Sequence, residues 1–280
     1  MGTLYLVATP IGNLEDLSPR ALRLLREARL IAAEDTRVTR KLLAHFGLHT
    51  PLTSYFEHNK LTKLDAILGA LSEGDVALVS DAGTPALNDP GYELVRAALE
   101  TGHPVCPVPG PSAPVAALVA SGLPTDAFLY LGYLPRKSPE RRELLERVAA
   151  QPYTLIFLEA PHRLLESLAD LAAVLGDREA AVARELTKVH EEIWRGTLAE
   201  ARVHFSKNKP RGEFTLVVAG RPSDEKTRWS EEHLLSALLA GSSAGKSPTR
   251  LAAQLADESG WKRREIYKIA TQIKTKMAED

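Results

Sequence analysis

The chain has 280 residues, 44% of them apolar and 25% charged, a composition that excludes a disordered or fibrous protein and allows roughly two domains. Its formal net charge of -1 means that attraction to a nucleic acid has to come from local basic patches rather than from the whole molecule. Cys106, the one cysteine, excludes an intrachain disulfide and a thiolate metal cluster, no apolar run approaches the ~20 residues of a membrane helix, and no signal peptide opens the chain, so a soluble cytoplasmic protein is expected.

TLYLVA reads as a short buried strand. A loop, ATPIGN, follows it, and then a helix capped by Ser18 with Pro19 at its first position and Ala21, Leu22, Leu24, Leu25 and Ala28 on its buried face. LIAAEDTR is read as a second strand, leading into a helix around TRKLLAHF that stops at Gly47. A helix is expected over 63–71, and DVALVS is a strand that ends in the turn-rich segment SDAGTPALNDPG. Asp89 is read as the cap of the next helix, with Pro90 at its start and Gly102 at its end, and PVCPVPG is a further strand. Alternation of strand and helix predicts a parallel α/β domain over residues 1–114.

The pattern restarts with FLYLGYL as a strand, a charged helix from Ser138 and Pro139, the buried strand YTLIFLEA, and an amphipathic helix ending at Gly176. AAVARELT and EEIWRGTL follow as strands, the second entering a helix through a capping box from Thr197 to Glu200, and GEFTLVVAG is the last strand. Consecutive strands without helices between them predict a mixed sheet in a second α/β domain over 115–221. Residues 222–229 are a polar linker, and 230–280 a small helical module.

Three glycines are needed where backbone must approach the pyrophosphate of a dinucleotide, but the opening loop holds Gly12 alone, with Pro10 in place of a donating amide. AGSSAGKS, 240–247, matches a relaxed phosphate-loop pattern, yet it follows a helical segment and is interrupted by Pro248, so it is read as a hinge. SDAGTPALNDPG is stronger, because it sets Asp81 before Gly83 at the C-terminal end of a buried strand, the edge at which open α/β sheets bind ligands. PVPGPSAPVAAL repeats this placement, with Ser112 able to cap the helix that begins near Ala113. AEDTR gathers Glu34, Asp35 and Arg37 at a strand end, and ARELTKVHEE sets Arg184, Lys188 and Glu192 in one strand-and-turn region.

Taken in order, ATPIGN, AEDTR, SDAGTPALNDPG, PGPSAPVAAL, LEAPHR, ARELTKVHEE and RGEFTLVV resemble the tetrapyrrole methylase superfamily, and within it the ribosomal small-subunit RNA cytidine 2'-O-methyltransferases. The resemblance implies two α/β domains with S-adenosylmethionine in the cleft between them, a homodimer, no metal, and 16S ribosomal RNA or the assembled small subunit as substrate. It places Ile11, Asp81, Thr84, Ser112, Ala113, Leu158, Glu159, Leu186, Glu213 and Phe214 around the cofactor. Ala82, Pro111 and Leu158 would supply apolar walls. Tetrapyrrole-modifying members carry a glycine-rich first loop where this chain has Thr9, Pro10, Ile11 and Gly12, a departure that counts against a flat macrocycle as substrate.

Transfer to a ribose hydroxyl needs a proton acceptor, for which Glu34 and Asp35 are the candidates and Lys188, with a lowered pKa, the second choice. Between Ser259 and Lys276 the tail holds Lys262, Arg263, Arg264, Lys268, Lys274 and Lys276 against Glu265, a surplus suited to phosphate contacts. Ala256, Gly260, Ile266 and Ile269 have the spacing of a helix-turn-helix, read here as RNA-docking. A ligand-sensing DNA-binding regulator and a small-molecule methylase remain the alternatives.

Overall fold

A computed structural model describes residues 2–207, 209–222, 229–244 and 246–279, with the side chains of all of these but 257 and 274–279. The chain divides into two compact units, Met1–Arg221 and Pro222–Asp280.

The first unit contains two five-stranded sheets. In the first, β1 (Leu4–Val7), β2 (Leu30–Ala33), β3 (Leu52–Ser54), β4 (Val76–Val79) and β5 (Val105–Val108) run in the order β3-β2-β4-β1-β5, all parallel. The central strand VALV is buried at every position, as a parallel strand covered on both faces must be. The connecting helices are α1 (Pro19–Glu27), α2 (Thr36–His45), α3 (Lys60–Glu73) and α4 (Tyr92–Glu100). Ser18 caps α1 by accepting from the Ala21 N–H at 3.1 Å. Because the strands are parallel, the loops after β1, β2, β4 and β5 all leave from one edge.

Asp89 does not cap α4. That helix starts at Tyr92 behind Gly91, whose missing side chain leaves room for Ala86: a Cβ there would come within 2.6 Å of the Ala86 Cβ. Asp89 is thereby left in the loop, and Ala86 and Asn88 beside it hold φ values of 66° and 67°. Left-handed backbone at two non-glycine residues in one short loop is strain of the kind that surrounding structure maintains at functional sites.

α5 (Ala113–Ser121) leads into the second sheet and packs against it, with Ala117 and Leu118 buried against Ile156, Ala181 and Val217. This sheet has the order β6-β7-β10-β8-β9, from β6 (Phe128–Tyr133), β7 (Thr154–Glu159), β8 (Glu179–Arg184), β9 (Glu192–Thr197) and β10 (Phe214–Val218). Only β6 and β7 pair in parallel, so the mixed sheet expected from the strand sequence is present. The antiparallel register sets Phe214 opposite both Glu159 and Arg184, which brings the end of β7, the start of β10 and the end of β8 to one edge. Its opposite face is covered by α6 (Ser138–Val148), α7 (Leu164–Leu175) and α8 (Leu198–Ser206), the last entered through the Thr197–Glu200 capping box.

The second unit is helical: α9 (Glu231–Ser243), α10 (Pro248–Ser259) and α11 (Arg263–Glu279) around Leu234, Leu238, Leu251, Leu255 and Ile266. Of the segment 240–247 expected as a hinge, residues 240–243 belong to α9, Gly245 lies outside the described residues, and Ser247 caps α10. Gly260 ends α10 in the left-handed conformation, at φ 68°, between α10 and α11. Residues 223–228 of the expected linker lie outside the described residues.

Candidate active site

The loop edges of the two sheets enclose a cleft of about 240 Å3. From the first sheet it receives Ile11 after β1, Glu34 after β2, residues 81–84 and 87–89 after β4, and Ser112 and Ala113 after β5. From the second it receives Tyr130 and Tyr133 of β6, Leu158 and Glu159 of β7, and Glu213, Phe214 and Thr215 at the start of β10. Nine of the ten residues expected around a cofactor line this cleft: Ile11, Asp81, Thr84, Ser112, Ala113, Leu158, Glu159, Glu213 and Phe214. Leu186 does not, because it packs with Ile11 in the apolar cluster behind the wall.

The opening loop is fixed on both sides. Thr9 and Gly83 exchange two backbone hydrogen bonds of 2.9 Å, and the Thr9 hydroxyl donates to the Ser80 carbonyl at 3.1 Å. Across the cleft, the Asn13 N–H donates to the Thr187 hydroxyl at 3.0 Å. Gly12 lies under the 186–188 loop, so its lack of a side chain serves packing between the two halves of the first unit rather than contact with a phosphate.

Five carboxylates line the cleft, and three of them, Glu34, Asp81 and Asp89, make no ion pair among the described residues. The Asp81 N–H donates to the Glu34 carboxylate at 3.3 Å, and the Asp35 N–H donates to the Asp81 carboxylate at 3.0 Å. Burial raises the Glu34 pKa, the Asp81 N–H opposes it, and the charges of Asp89, Asp81 and Asp35 raise it further. Burial also raises Asp81, and Asp89 likewise against the Ser80 hydroxyl beside it. Glu159 is committed elsewhere: its carboxylate accepts from Arg163 at 2.5 Å, from the Ala160 N–H at 2.7 Å and from the Ser167 hydroxyl. Among the described residues that line the cleft there is no Lys, Arg or His, and no group of three or more His, Cys, Asp or Glu among the described residues could hold a metal ion.

A concave site with acidic groups, apolar walls and no cation suits a ligand that is itself cationic and largely apolar. Ser112 adds a hydroxyl. It occupies the N-cap position of α5, yet its side chain makes no cap bond, contrary to the capping role open to it in the sequence.

The three candidate proton acceptors separate sharply. Glu34 lines the cleft with a raised pKa. Asp35 does not line it: its carboxylate caps α2 through the Arg37 N–H at 2.8 Å and pairs with the Arg37 side chain at 2.6 Å, which hold its pKa down to about 2. Lys188 is ion-paired to Glu185 at 2.9 Å and to Glu213 at 3.1 Å, and these partners outweigh its burial and raise its pKa, the opposite direction to the one expected of a base.

The family model for tetrapyrrole (corrin/porphyrin) methylases matches residues 3–202. The chain belongs to the tetrapyrrole methylase family. This methylase chain is 48% identical over 275 residues to Ribosomal RNA small subunit methyltransferase I of Synechocystis sp., covering 98% of the chain and 99% of that relative. It is 49% identical over 279 residues to the Pseudomonas aeruginosa protein of the same name, covering 97% of each. The fold is that of uroporphyrin-III C-methyl transferase from Thermus thermophilus, solved in complex with S-adenyl homocysteine: the TM-score is 0.55 at 24% identity, over 78% of this chain and 97% of that one.

Sequence reading of this methylase missed Tyr130, Tyr133 and Asp89 as cleft residues. The two tyrosines belong to an ordinary strand pattern, and only a register shift between them, with Gly132 at φ 67°, turns both toward the cleft. Burial raises both phenols, Tyr130 to about 12, so each stays protonated as a donor. The Pro90-Gly91 pair was the available signal for Asp89, since it delays the helix start past the carboxylate.

Proposed function

We propose that this protein transfers a methyl group from S-adenosylmethionine to the ribose 2'-hydroxyl of a cytidine in the 16S ribosomal RNA of the small subunit. The observation that carries the reading is the acidic, cation-free cleft in a chain that matches ribosomal RNA small subunit methyltransferases over nearly its full length. When bound, S-adenosylmethionine supplies an electrophilic methyl group on a cationic sulfur. Asp81 and Asp89 favour that positive charge, Ile11, Leu158 and Phe214 exclude water around it, and the Ser112 hydroxyl and the tyrosine donors orient the ligand. Holding acceptor oxygen, methyl carbon and sulfur in line supplies much of the acceleration. Glu34 accepts the proton from the 2'-hydroxyl at its carboxylate oxygen, for which a raised pKa is an advantage.

The exposed Lys262, Arg263, Arg264 and Lys268, around the start of α11, are the cations assigned to RNA phosphates; the side chains of Lys274 and Lys276 lie outside the described residues. Residues 1–114 and 115–221 would act as the two lobes of a cytoplasmic enzyme working as a homodimer, with 230–280 as the docking module. No described helix is long and apolar enough to cross a membrane. The deciding experiment incubates the protein with labelled S-adenosylmethionine and small subunits from cells lacking the activity, and maps the label. Label on a ribose of 16S RNA is expected; label on a base, on a macrocycle or nowhere on RNA would overturn the assignment.

A further inference from the structure

A second cavity, of about 230 Å3, opens on the other side of the loop after β1, with Thr9, Pro10, Leu14, Val38, Lys41 and Asp81 among its lining residues. Asp81 lines both this cavity and the cleft. The partition between them is the opening loop itself, with Pro10 on one side and Ile11 on the other. That partition is held by the Thr9 to Gly83 backbone bonds.

The two chambers differ in chemistry. The second has an apolar wall in which Leu14 and Val38 remain 38% and 40% exposed. Within it Thr39 is 2% exposed and has a hydroxyl that makes no hydrogen bond to the described protein. Along its rim runs α2, which carries Arg37, Arg40 and Lys41 on exposed positions and no acidic residue in its span. Asp35 neutralises Arg37, while Arg40 and Lys41 make no ion pair among the described residues. Apolar walls for a ring, a spare hydroxyl for its polar edge and cations outside for phosphate are the requirements of one unstacked nucleotide in a single strand.

Resting on the methyl transfer proposed above, we infer that this cavity receives the acceptor nucleotide. Its base lies against Pro10, Leu14 and Val38, its flanking phosphates lie on Arg40 and Lys41, and its ribose sits at Asp81, where the two chambers meet.

The test uses the full chain, labelled S-adenosylmethionine and small subunits from cells lacking the activity. Val38→Trp fills the cavity from an exposed helix position, and Lys41→Ala removes a rim cation; unchanged thermal melting confirms that both fold. Val38→Trp is expected to lower kcat/KM for subunits at least about tenfold while the dissociation constant for S-adenosylmethionine stays within about twofold. Lys41→Ala is expected to raise KM with kcat unchanged, and to reduce the salt dependence of subunit binding by about 0.7 in log-log slope, the value for one single-strand phosphate contact. Full activity in Val38→Trp, or a loss of cofactor affinity as large as the loss of transfer, would overturn the inference. A wild-type protein that leaves small-subunit RNA unlabelled defeats the functional reading first, whatever the variants do.

Discussion

Gly12 lies so close to Lys188 that a Cβ added to it would come within 2.4 Å of the Lys188 Cγ, and within 2.9 Å of the Leu186 carbonyl. These residues are far apart in sequence and meet only because the loop after β1 and the loop after β8 close on each other across the cleft. Gly12→Ala therefore has to displace the 186–188 loop. Its backbone conformation is open to alanine, since Gly12 is not at positive φ, so the whole effect arises from contact. We expect a loss of about 1 to 3 kcal/mol in urea denaturation, the usual range for overpacking, together with weaker cofactor binding in titration calorimetry.

Glu34 predicts the acid limb of the rate profile. Its pKa lies above the ordinary 4.5, so the carboxylate proposed to accept the proton is formed only as pH rises through that raised value. Single-turnover transfer should rise with pH across the mildly acidic range in the wild type, and Glu34→Gln should be slow and flat there while binding cofactor normally. The stability sign is opposite. A carboxyl raised above its unfolded value stabilises the fold below the unfolded pKa and loses that contribution as pH rises through the folded one. Glu34→Gln should therefore be at least as stable as wild type at neutral pH. Full-rate transfer by the variant would remove Glu34 from the mechanism.

Ser112 separates a structural serine from a ligand-binding one. Its hydroxyl makes no cap bond to α5, so Ser112→Ala should change the melting behaviour by less than about 0.5 kcal/mol. Loss of a hydrogen bond to the cofactor should instead weaken S-adenosylmethionine binding by about two- to tenfold, the range for one neutral hydrogen bond. A destabilised variant with unchanged affinity would return Ser112 to the capping role that its place before Ala113 suggests.

Local chemistry was legible in the sequence wherever it was decided locally. Ser18 before Pro19 and the Thr197 to Glu200 box cap their helices because each uses only neighbouring amides. The parallel first sheet and the mixed second sheet follow from whether helices separate the strands. Features set by distant partners were not legible. β3 has three residues, all half-buried, with no alternation to reveal it. Glu34 and Asp35 are adjacent in sequence, and only the strand end decides that one lines the cleft while the other turns to cap α2. Lys188 has the residue type of a base, but its raised pKa rests on Glu185 nearby in sequence and on Glu213, which folding brings from just before β10.

The basic start of α11 makes a prediction that is independent of the cleft. Ile266 and Ala270 are buried in the helical unit, which turns Lys262, Arg263, Arg264 and Lys268 outward. Replacing those four by alanine leaves the apolar cluster intact, so the unit should keep its helical content by circular dichroism. Cofactor affinity, which the proposal assigns to residues of the first unit, should not change. Binding to small subunits should weaken, and the slope of log affinity against log salt should become shallower by about 0.7 to 0.9 for each phosphate no longer neutralised. Because the proposal sets these cations on backbone phosphate, the weakening should be similar for unrelated RNA competitors. Weakening confined to one RNA sequence would instead assign these side chains to base edges, and an unchanged salt slope would take the module out of RNA docking.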